Sequence, residues 1–248
     1  MTRDYYNEYS TFEREHWWFL ARKKIILSHL STLLKEKKNL NILNIGAATG
    51  ASTIMLQQFG KVTSVEYDKE CCDFLLNNLG IPVVNCSITD LKFDNEEFDL
   101  VCAFDVIEHV EDDTKGVNEM KRVCKQNGII CVTVPAFMSL WSNHDEVNMH
   151  RRRYVKNQFM NLFKKDGHII FASYFNFFLF LPIYLFRKIN RFIPSRLLRG
   201  GSGSDVTVFK KSFLDSILFH LMASERYFLN LNIPLPFGVS ILLSWKKV

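Results

Sequence analysis

Residues 40–50 read Leu-Asn-Ile-Leu-Asn-Ile-Gly-Ala-Ala-Thr-Gly, an apolar run that stops abruptly in a glycine turn. The spacing predicts a short strand over Leu40–Ile45, a turn from Gly46, and a helix over Ser52–Phe59 that Gly60 ends. A glycine at the turn lets the backbone bend tightly and come close to a ligand. The same alternation continues outward. A second strand is predicted at Val62–Val65, ending at the acidic Glu66. A helix over Lys69–Leu79, capped by Asp68 and stopped by Gly80, leads to a third strand at Val83–Cys86. Phe98–Phe104 reads as a fourth strand buried on both faces, Thr114–Lys125 as a helix followed by Gly128, and Ile129–Val134 as a fifth strand ending at Pro135. Strands alternating with helices predict parallel β-α-β units with right-handed crossovers. Continuous apolar strands belong in a sheet covered on both faces. The expected fold is α/β: a Rossmann-like, doubly wound sheet.

On the N-terminal side, residues 20–37 read as a basic amphipathic helix with Leu20, Ile25, Ile26, Leu30, Leu33 and Leu34 on one face. On the other side come a helix at 155–165, a strand near 168–174, a long helical region interrupted by a Gly200–Ser204 loop, and a last strand at Val239–Trp245. There is no internal repeat. One domain is expected over 1–248, with a helical lid (1–39) and a cofactor-binding core (40–135). Residues 136–248 would hold a substrate-side loop and strands six and seven, the last antiparallel, with a helical insertion between them.

The composition narrows the class. Hydrophobic residues make up 48% and charged residues 23% of 248, which fits a globular chain and excludes a disordered one. The net charge of +5 is uneven: residues 168–248 carry +7 and hold 12 of the 22 Phe. The N-terminus lacks the apolar stretch of a secretory signal, and the six Cys form no C-x-x-C pair, so the expected compartment is the cytoplasm. Ile169–Phe186 is free of charge but only at the lower edge of a membrane span. Ser173, Asn176, two Tyr and Pro182 argue instead for a buried strand followed by an amphipathic helix. That helix leads into Arg187, Lys188, Arg191, Arg196 and Arg199, a pattern that predicts peripheral contact with anionic lipid. No extended basic groove or recognition motif points to nucleic acid.

In such a sheet, ligands bind beyond the carboxyl ends of the strands. Glu66, 20 residues after Gly46, can take both hydroxyls of a ribose, and Ser87 and Ile88 can line an adenine. The glycine spacing G-x-x-x-G differs from the nicotinamide fingerprint G-x-G-x-x-G, so an oxidoreductase is disfavoured.

Taken together, Leu43-Asn-Ile-Gly-Ala-Ala-Thr-Gly50, Glu66, Cys86-Ser-Ile-Thr-Asp-Leu91 and Phe98-Asp-Leu-Val-Cys-Ala-Phe-Asp-Val-Ile-Glu-His-Val110 resemble the class I S-adenosylmethionine (SAM)-dependent methyltransferases. His16-Trp-Trp-Phe-Leu-Ala-Arg22, Val134-Pro-Ala, Leu140-Trp-Ser, His144-Asp-Glu, His150-Arg-Arg-Arg-Tyr154 and Pro236-Phe-Gly-Val-Ser resemble a bacterial HWWFxxR subgroup of type 11/12 enzymes. The resemblance implies SAM as cofactor, held by Trp18, Arg22, Gly46, Ala47, Ala48, Gly50, Glu66, Tyr67, Ser87, Ile88, Phe104, Asp105 and His109. It also implies a lid containing Trp17 and Trp18, with Arg22 near the methionine carboxylate. Three positions depart from the pattern: Asn44 for the usual Asp, Ala48 for the middle Gly, and Ser87 for the adenine-side Asp. They sustain an alternative, a degenerate fold acting as a membrane-associated binding module.

Asp105, Glu108 and His109, at i, i+3 and i+4, would share a helical face as metal ligands do. The plainer reading is that Glu108 and His109 cap the loop and line the cofactor pocket, and no metal is expected. The loop after the fifth strand would overhang the substrate, with Asp145, Arg152 and Tyr154 as contacts. The acceptor is expected to be a small molecule or lipid-linked compound methylated on oxygen. His109, His144 or His150 would be its base.

Overall fold

Strands β1 (Leu40–Ile45), β2 (Gly60–Glu66), β3 (Val83–Asn85), β4 (Phe98–Phe104), β5 (Cys124–Pro135), β6 (Gly167–Phe175) and β7 (Ser240–Lys247) form one sheet in the order β3-β2-β1-β4-β5-β7-β6. They come from a computed structural model that describes residues 3–35, 37–190 and 212–248. The pairs β1–β2, β1–β4, β2–β3 and β4–β5 are parallel; β7 runs antiparallel to both β5 and β6. Chain order reverses between β1 and β4, so the crevice for a ligand opens where Ile45 and Phe104 end. The expected seven-stranded doubly wound sheet with an antiparallel last strand is what the chain forms.

Helices cover both faces. They are α1 (Arg3–Glu15), α2 (Trp17–Leu34), α3 (Ala51–Leu56), α4 (Lys69–Leu79), α5 (Asp113–Val123), α6 (Asn143–Val147), α7 (Lys156–Asn161), α8 (Phe180–Asn190) and α9 (Phe213–Asn230). Alternate strand residues feed two cores. Leu43, Ile45, Val101, Ala103, Ile241, Leu243 and Trp245 pack with Val117 and Met120 of α5 and Phe159 of α7. Leu40, Ile42, Leu100, Cys102 and Leu242 pack with Ile25, Ile26 and Leu30 of α2 and Met222 and Leu229 of α9. This two-sided burial is why β1 and β4 are nearly all apolar. All six Cys are buried and free.

Several expected boundaries move, each for a packing reason. The helix expected at 52–59 stops at Leu56, because Gly60 belongs to β2. A Cβ there would sit 2.0 Å from the Leu40 carbonyl oxygen, so close strand pairing requires this glycine. The helix expected to reach Lys125 ends at Val123, and β5 starts at Cys124 rather than Ile129. The register with β4 shifts between Phe98 and Leu100, and Gly128 sits inside the irregular stretch. The N-terminal helix begins at Trp17 and ends at Leu34. Residues 169–186 divide into β6 and α8, and no described helix is long and apolar enough to cross a membrane. Arg191, Arg196, Arg199 and Gly200–Ser204 lie outside the described residues.

One buried acid ties α9 to the sheet. The Glu225 carboxylate accepts backbone hydrogen bonds from Asn176, Phe177 and Phe178 at 2.6, 2.8 and 3.2 Å, closing the turn after β6. Burial pushes its pKa up from 4.5 to about 7, against those hydrogen bonds. Between these values the native state holds more protons than the unfolded chain, so this contribution falls as pH rises through the interval and is constant above it. Melting curves should therefore show wild type losing about 1–3 kcal/mol relative to Glu225→Gln as pH rises from about 5 to 8. Parallel pH profiles for the two proteins would refute this role of Glu225.

Candidate active site

The half of the crevice beside β1 and β2 is backbone held by one acid. Gly46 has φ 73°, and the Gly46 and Ala47 N–H groups donate to the Val65 carbonyl at 2.9 and 3.1 Å, pinning the turn against the end of β2. A Cβ at Gly46 would lie 2.4 Å from Val106 Cγ2, so glycine is needed both for its dihedral and for its close approach to the loop after β4. Gly50, at φ 88°, caps α3. Glu66 Oε2 accepts from Ala48 N at 3.1 Å, and Oε1 accepts from Tyr67 N at 2.8 Å and Asp68 N at 3.1 Å. Ala48 itself is left-handed, at φ 44°, a strained value for a residue with a Cβ. Asn44 is fully buried and donates to the Ser52 and Thr53 hydroxyls, both at 2.9 Å, fixing α3 to β1.

The N-terminal helices close over this turn. The Tyr6 ring of α1 sits 5.8 Å from Phe74 and packs with Ala47, Leu75 and Ile81. The Thr49 hydroxyl donates to Glu13, whose pKa burial raises. His16 caps α2 by accepting from Trp18 N at 3.3 Å. Arg22 lies 5.8 Å from the Trp18 ring, and its Nη2 reaches Asp105 Oδ2 at 2.8 Å and Thr133 Oγ at 2.9 Å. Thr133 in turn donates to Asp105 Oδ1 at 2.9 Å. Arg22 thus sits at the carboxyl ends of β4 and β5, with Asp105 as its partner. Phe104 turns to the α2 side, in the core that Trp17 and Trp18 flank.

Three expected cofactor contacts look different in place. Tyr67 is 78% exposed. Ser87 Oγ bonds Thr89 Oγ1 at 2.9 Å. The Ile88 side chain turns into the α5-side core toward Gly116, which leaves its backbone as what it can offer a bound ring.

The half beside β4 and β5, where the acceptor is expected, differs more from expectation. Asp105 does not share a helical face with Glu108 and His109. It is left-handed at φ 57°, and only Ile107–His109 forms a single 3-10 turn. The third member of that group is His150, brought over by the loop after α6. One ligand atom from each of Glu108, His109 and His150 lies within 4.8 Å of the others. One backbone and one side-chain bond lace the two loops together: Arg151 N donates to the Glu108 carbonyl at 3.0 Å, and Arg151 Nε to the His109 carbonyl at 3.1 Å.

Of the expected substrate contacts, Asp145 and Tyr154 are buried and Arg152 is partly exposed. Asp145 is fully buried; it closes the capping box of α6 with Ser142 and accepts from Arg153 Nε at 2.7 Å and Nη2 at 3.0 Å. Its Oδ1 meets His150 Nδ1 at 2.8 Å. Burial works to raise its pKa, but the His150 and Arg153 bonds hold the carboxyl well below the usual carboxylate range. Arg152 and the Tyr154 hydroxyl both donate to Asp113 Oδ2 of α5, at 2.9 and 2.8 Å. Of the three expected bases, His144 is bonded to Asn148, and its ring lies 6.1 Å from that of His150. His109 is held down to a pKa of about 4 by desolvation and then by His150. Burial, then Asp105, raises the Glu108 pKa well above its ordinary value. The sequence reading missed Arg153 and Thr133. Arg153 was hidden in a run of three arginines, and Thr133 reads as an ordinary strand residue.

Residues 43–132 match a family described as a methyltransferase domain. The uncharacterized protein MJ1123 of Methanocaldococcus jannaschii is 30% identical over 156 residues, which span 63% of this chain and 70% of that protein. Among solved structures, one described as a SAM-dependent methyltransferase of Thermotoga maritima superposes with a TM-score of 0.56 at 14% identity, covering 98% of this chain and 96% of its own. A methyltransferase of Mesorhizobium loti gives 0.53 at 13% identity, covering 88% and 95%. At such identities the likeness is one of fold.

The Asp145–Arg153 pair should dominate the stability of the acceptor-side loop, because removing one partner leaves a buried charge unanswered. Arg153→Ala should destabilise the protein by about 3–5 kcal/mol in urea unfolding. A loss under about 1 kcal/mol would mean the pair is dispensable.

Proposed function

The chain belongs to one family with the Methanocaldococcus jannaschii protein and carries a methyltransferase domain at residues 43–132; from this we propose that it transfers a methyl group from SAM to an oxygen of a small-molecule or lipid-linked acceptor. The observation that carries the reading is the group of residues at the β1–β4 switch point. The Gly46–Gly50 turn, the Glu66 carboxylate and the Arg22–Asp105 pair all meet where the sheet reverses order. The donor set fits the cofactor. Glu66 suits ribose hydroxyls. Arg22 and Asp105 offer one positive and one negative group, the complement of an amino-acid zwitterion. Trp18, Ser87, Ile88 and Phe104 border the same end of the sheet. The HWWFxxR segment, as α2 and its cap, supports the same subgroup assignment.

When bound, SAM supplies a methyl group already activated on a sulfonium. The protein's own work is alignment and exclusion of water. The Gly46–Gly50 turn and Glu66 hold the nucleoside end. The lid of α1 and α2, tied down by Glu13–Thr49 and Arg22–Asp105, shields the crevice. A hydroxyl acceptor must lose its proton, and the corner of Glu108, His109 and His150 is where that proton is handled, with Asp145 fixing the His150 ring. His144 stands beside this corner rather than in it.

The surface supports an amphiphilic acceptor. Leu181, Leu185 and Ile189 form an exposed stripe on α8, at 59, 47 and 58% exposure, with Lys188 beside it. Phe213, Leu214 and Ile217 are exposed at the start of α9. Apolar stripes with flanking cations suit an interfacial position on a lipid surface.

Two measurements check these readings. SAM titrated into the protein in a calorimeter should give saturable heat, weakened at least tenfold in Glu66→Ala; silence at millimolar SAM would instead favour a non-catalytic binding module. The protein should also pellet with anionic vesicles at low ionic strength and be released by salt. Protein that stays in the supernatant would remove the lipid-linked acceptor.

A further inference from the structure

Phe137, just beyond the end of β5, has φ 57° and ψ 116°, outside the regions open to a bulky residue with a Cβ. Such backbone persists only where its surroundings hold it, and it gathers at ligand sites. Phe137 is held on both sides. Its N–H donates to the Tyr154 carbonyl at 2.9 Å, and its carbonyl accepts from Leu140 N at 2.9 Å.

The strain aims a ring. Phe137 lies flat against Tyr174 of β6, with centroids 5.0 Å and planes 13° apart, and meets Phe180 of α8 edge-on at 5.7 Å. Phe180 continues to Tyr184 at 6.0 Å and to Phe237 at 5.1 Å, and Phe237 continues to Phe177 at 4.6 Å. Rings from the turn after β5, from β6 and α8, and from the segment before β7 thus make one wall. It is not part of the core: Tyr174 alone among these rings is buried, and Phe237 is 39% exposed. The wall starts at the crevice. Phe137 stands just past Thr133, whose hydroxyl joins Arg22 and Asp105. Its neighbour Met138 accepts from Arg153 N at 3.2 Å, on the loop that carries His150.

We propose that this wall binds a flat conjugated ring bearing the hydroxyl to be methylated, so that the acceptor is a phenol. Aromatic faces and edges favour a planar ring over an aliphatic group of equal size, because offset and edge-on contacts add to simple burial. Aromatic rings also attract cations, but two ammonium groups already stand at this wall. Lys156 Nζ lies 5.5 Å from the Tyr174 ring and Lys188 Nζ 5.9 Å from the Tyr184 ring. They repel a cationic guest and suit the negative charge that a phenol gains as it loses its proton. The acceptor role rests on the methyl-transfer reading above; the binding of the ring does not.

The probes are 2-naphthol and its saturated counterpart decahydro-2-naphthol, each titrated into the full chain in a calorimeter. 2-Naphthol should bind at least tenfold more tightly than the saturated alcohol. Phe137→Leu and Phe237→Leu should each keep the wild-type far-UV spectrum, weaken 2-naphthol at least fivefold and change the saturated alcohol less than twofold. If Phe137→Leu fails to fold, the exposed Phe237 decides. Phe213→Leu, an exposed ring on α9, should leave both affinities unchanged. Equal affinity for the two alcohols, no heat at millimolar 2-naphthol, unchanged affinity in Phe237→Leu or an equal loss in Phe213→Leu would overturn the ring site. Such a failure beside normal SAM heat would leave the methyltransferase reading intact. Normal 2-naphthol binding beside SAM silence would keep the ring site and remove its acceptor role.

Discussion

Asp145 carries a charge in a fully buried place, and Arg153 makes that tolerable. The pair is wholly buried, two of its bonds join guanidinium to carboxylate, and a third runs from Asp145 to His150. The arrangement of the loop after β5 follows from this anchor. It folds α6 back through the Ser142 capping box, sets the direction of His150, and brings that ring to the turn after β4. A buried ion pair of this kind is a weak source of net stability but a strong determinant of one geometry, because each half is costly without the other. Here the geometry it selects is the one that places two histidines and a glutamate together.

The turn after β1 is organised by a different balance. Parallel strands buried on both faces leave their carboxyl ends as the place where backbone N–H groups and polar side chains can reach a ligand. The turn at Gly46 is squeezed between Val65 and Val106, and Glu66 gathers the N–H groups of two neighbouring turns. Helix α2 is attached by charge: Arg22 crosses from it to Asp105 and Thr133. The two halves meet at the loop after β4. Asp105 faces Arg22 of α2 and Glu108 faces the loop that carries His150, with a left-handed residue at the branch. That division explains why one short segment serves both ends of the crevice.

Much of this was legible in residues alone. β1, α4 and β4 begin and end where periodicity and glycine punctuation put them, because their boundaries rest on local signals: an apolar run, the Asp68 cap, the Gly80 stop. The carboxyl-end positions of Gly46, Glu66 and Asp105 follow from the same strands. Boundaries set by pairing were not legible. Gly60 reads as a helix stop, yet it is a strand residue demanded by Leu40, and β5 starts early because Cys124 pairs with Phe98.

The sequence by itself determined the alternation of strand and helix, hence the doubly wound sheet and the end at which its ligand binds. These depend on short-range patterns of apolar side chains and on residues that permit or forbid particular dihedrals. Tertiary structure alone decided which polar side chains face one another. Asp105, Glu108 and His109 look like one helical face at spacings of three and four, but a left-handed dihedral at Asp105 breaks the helix before it starts. Asp145, Arg152 and Tyr154 look like a substrate-facing run, but each finds a buried or paired partner. His150 approaches Glu108 across 42 residues of chain because the loop that carries it is anchored by a buried ion pair.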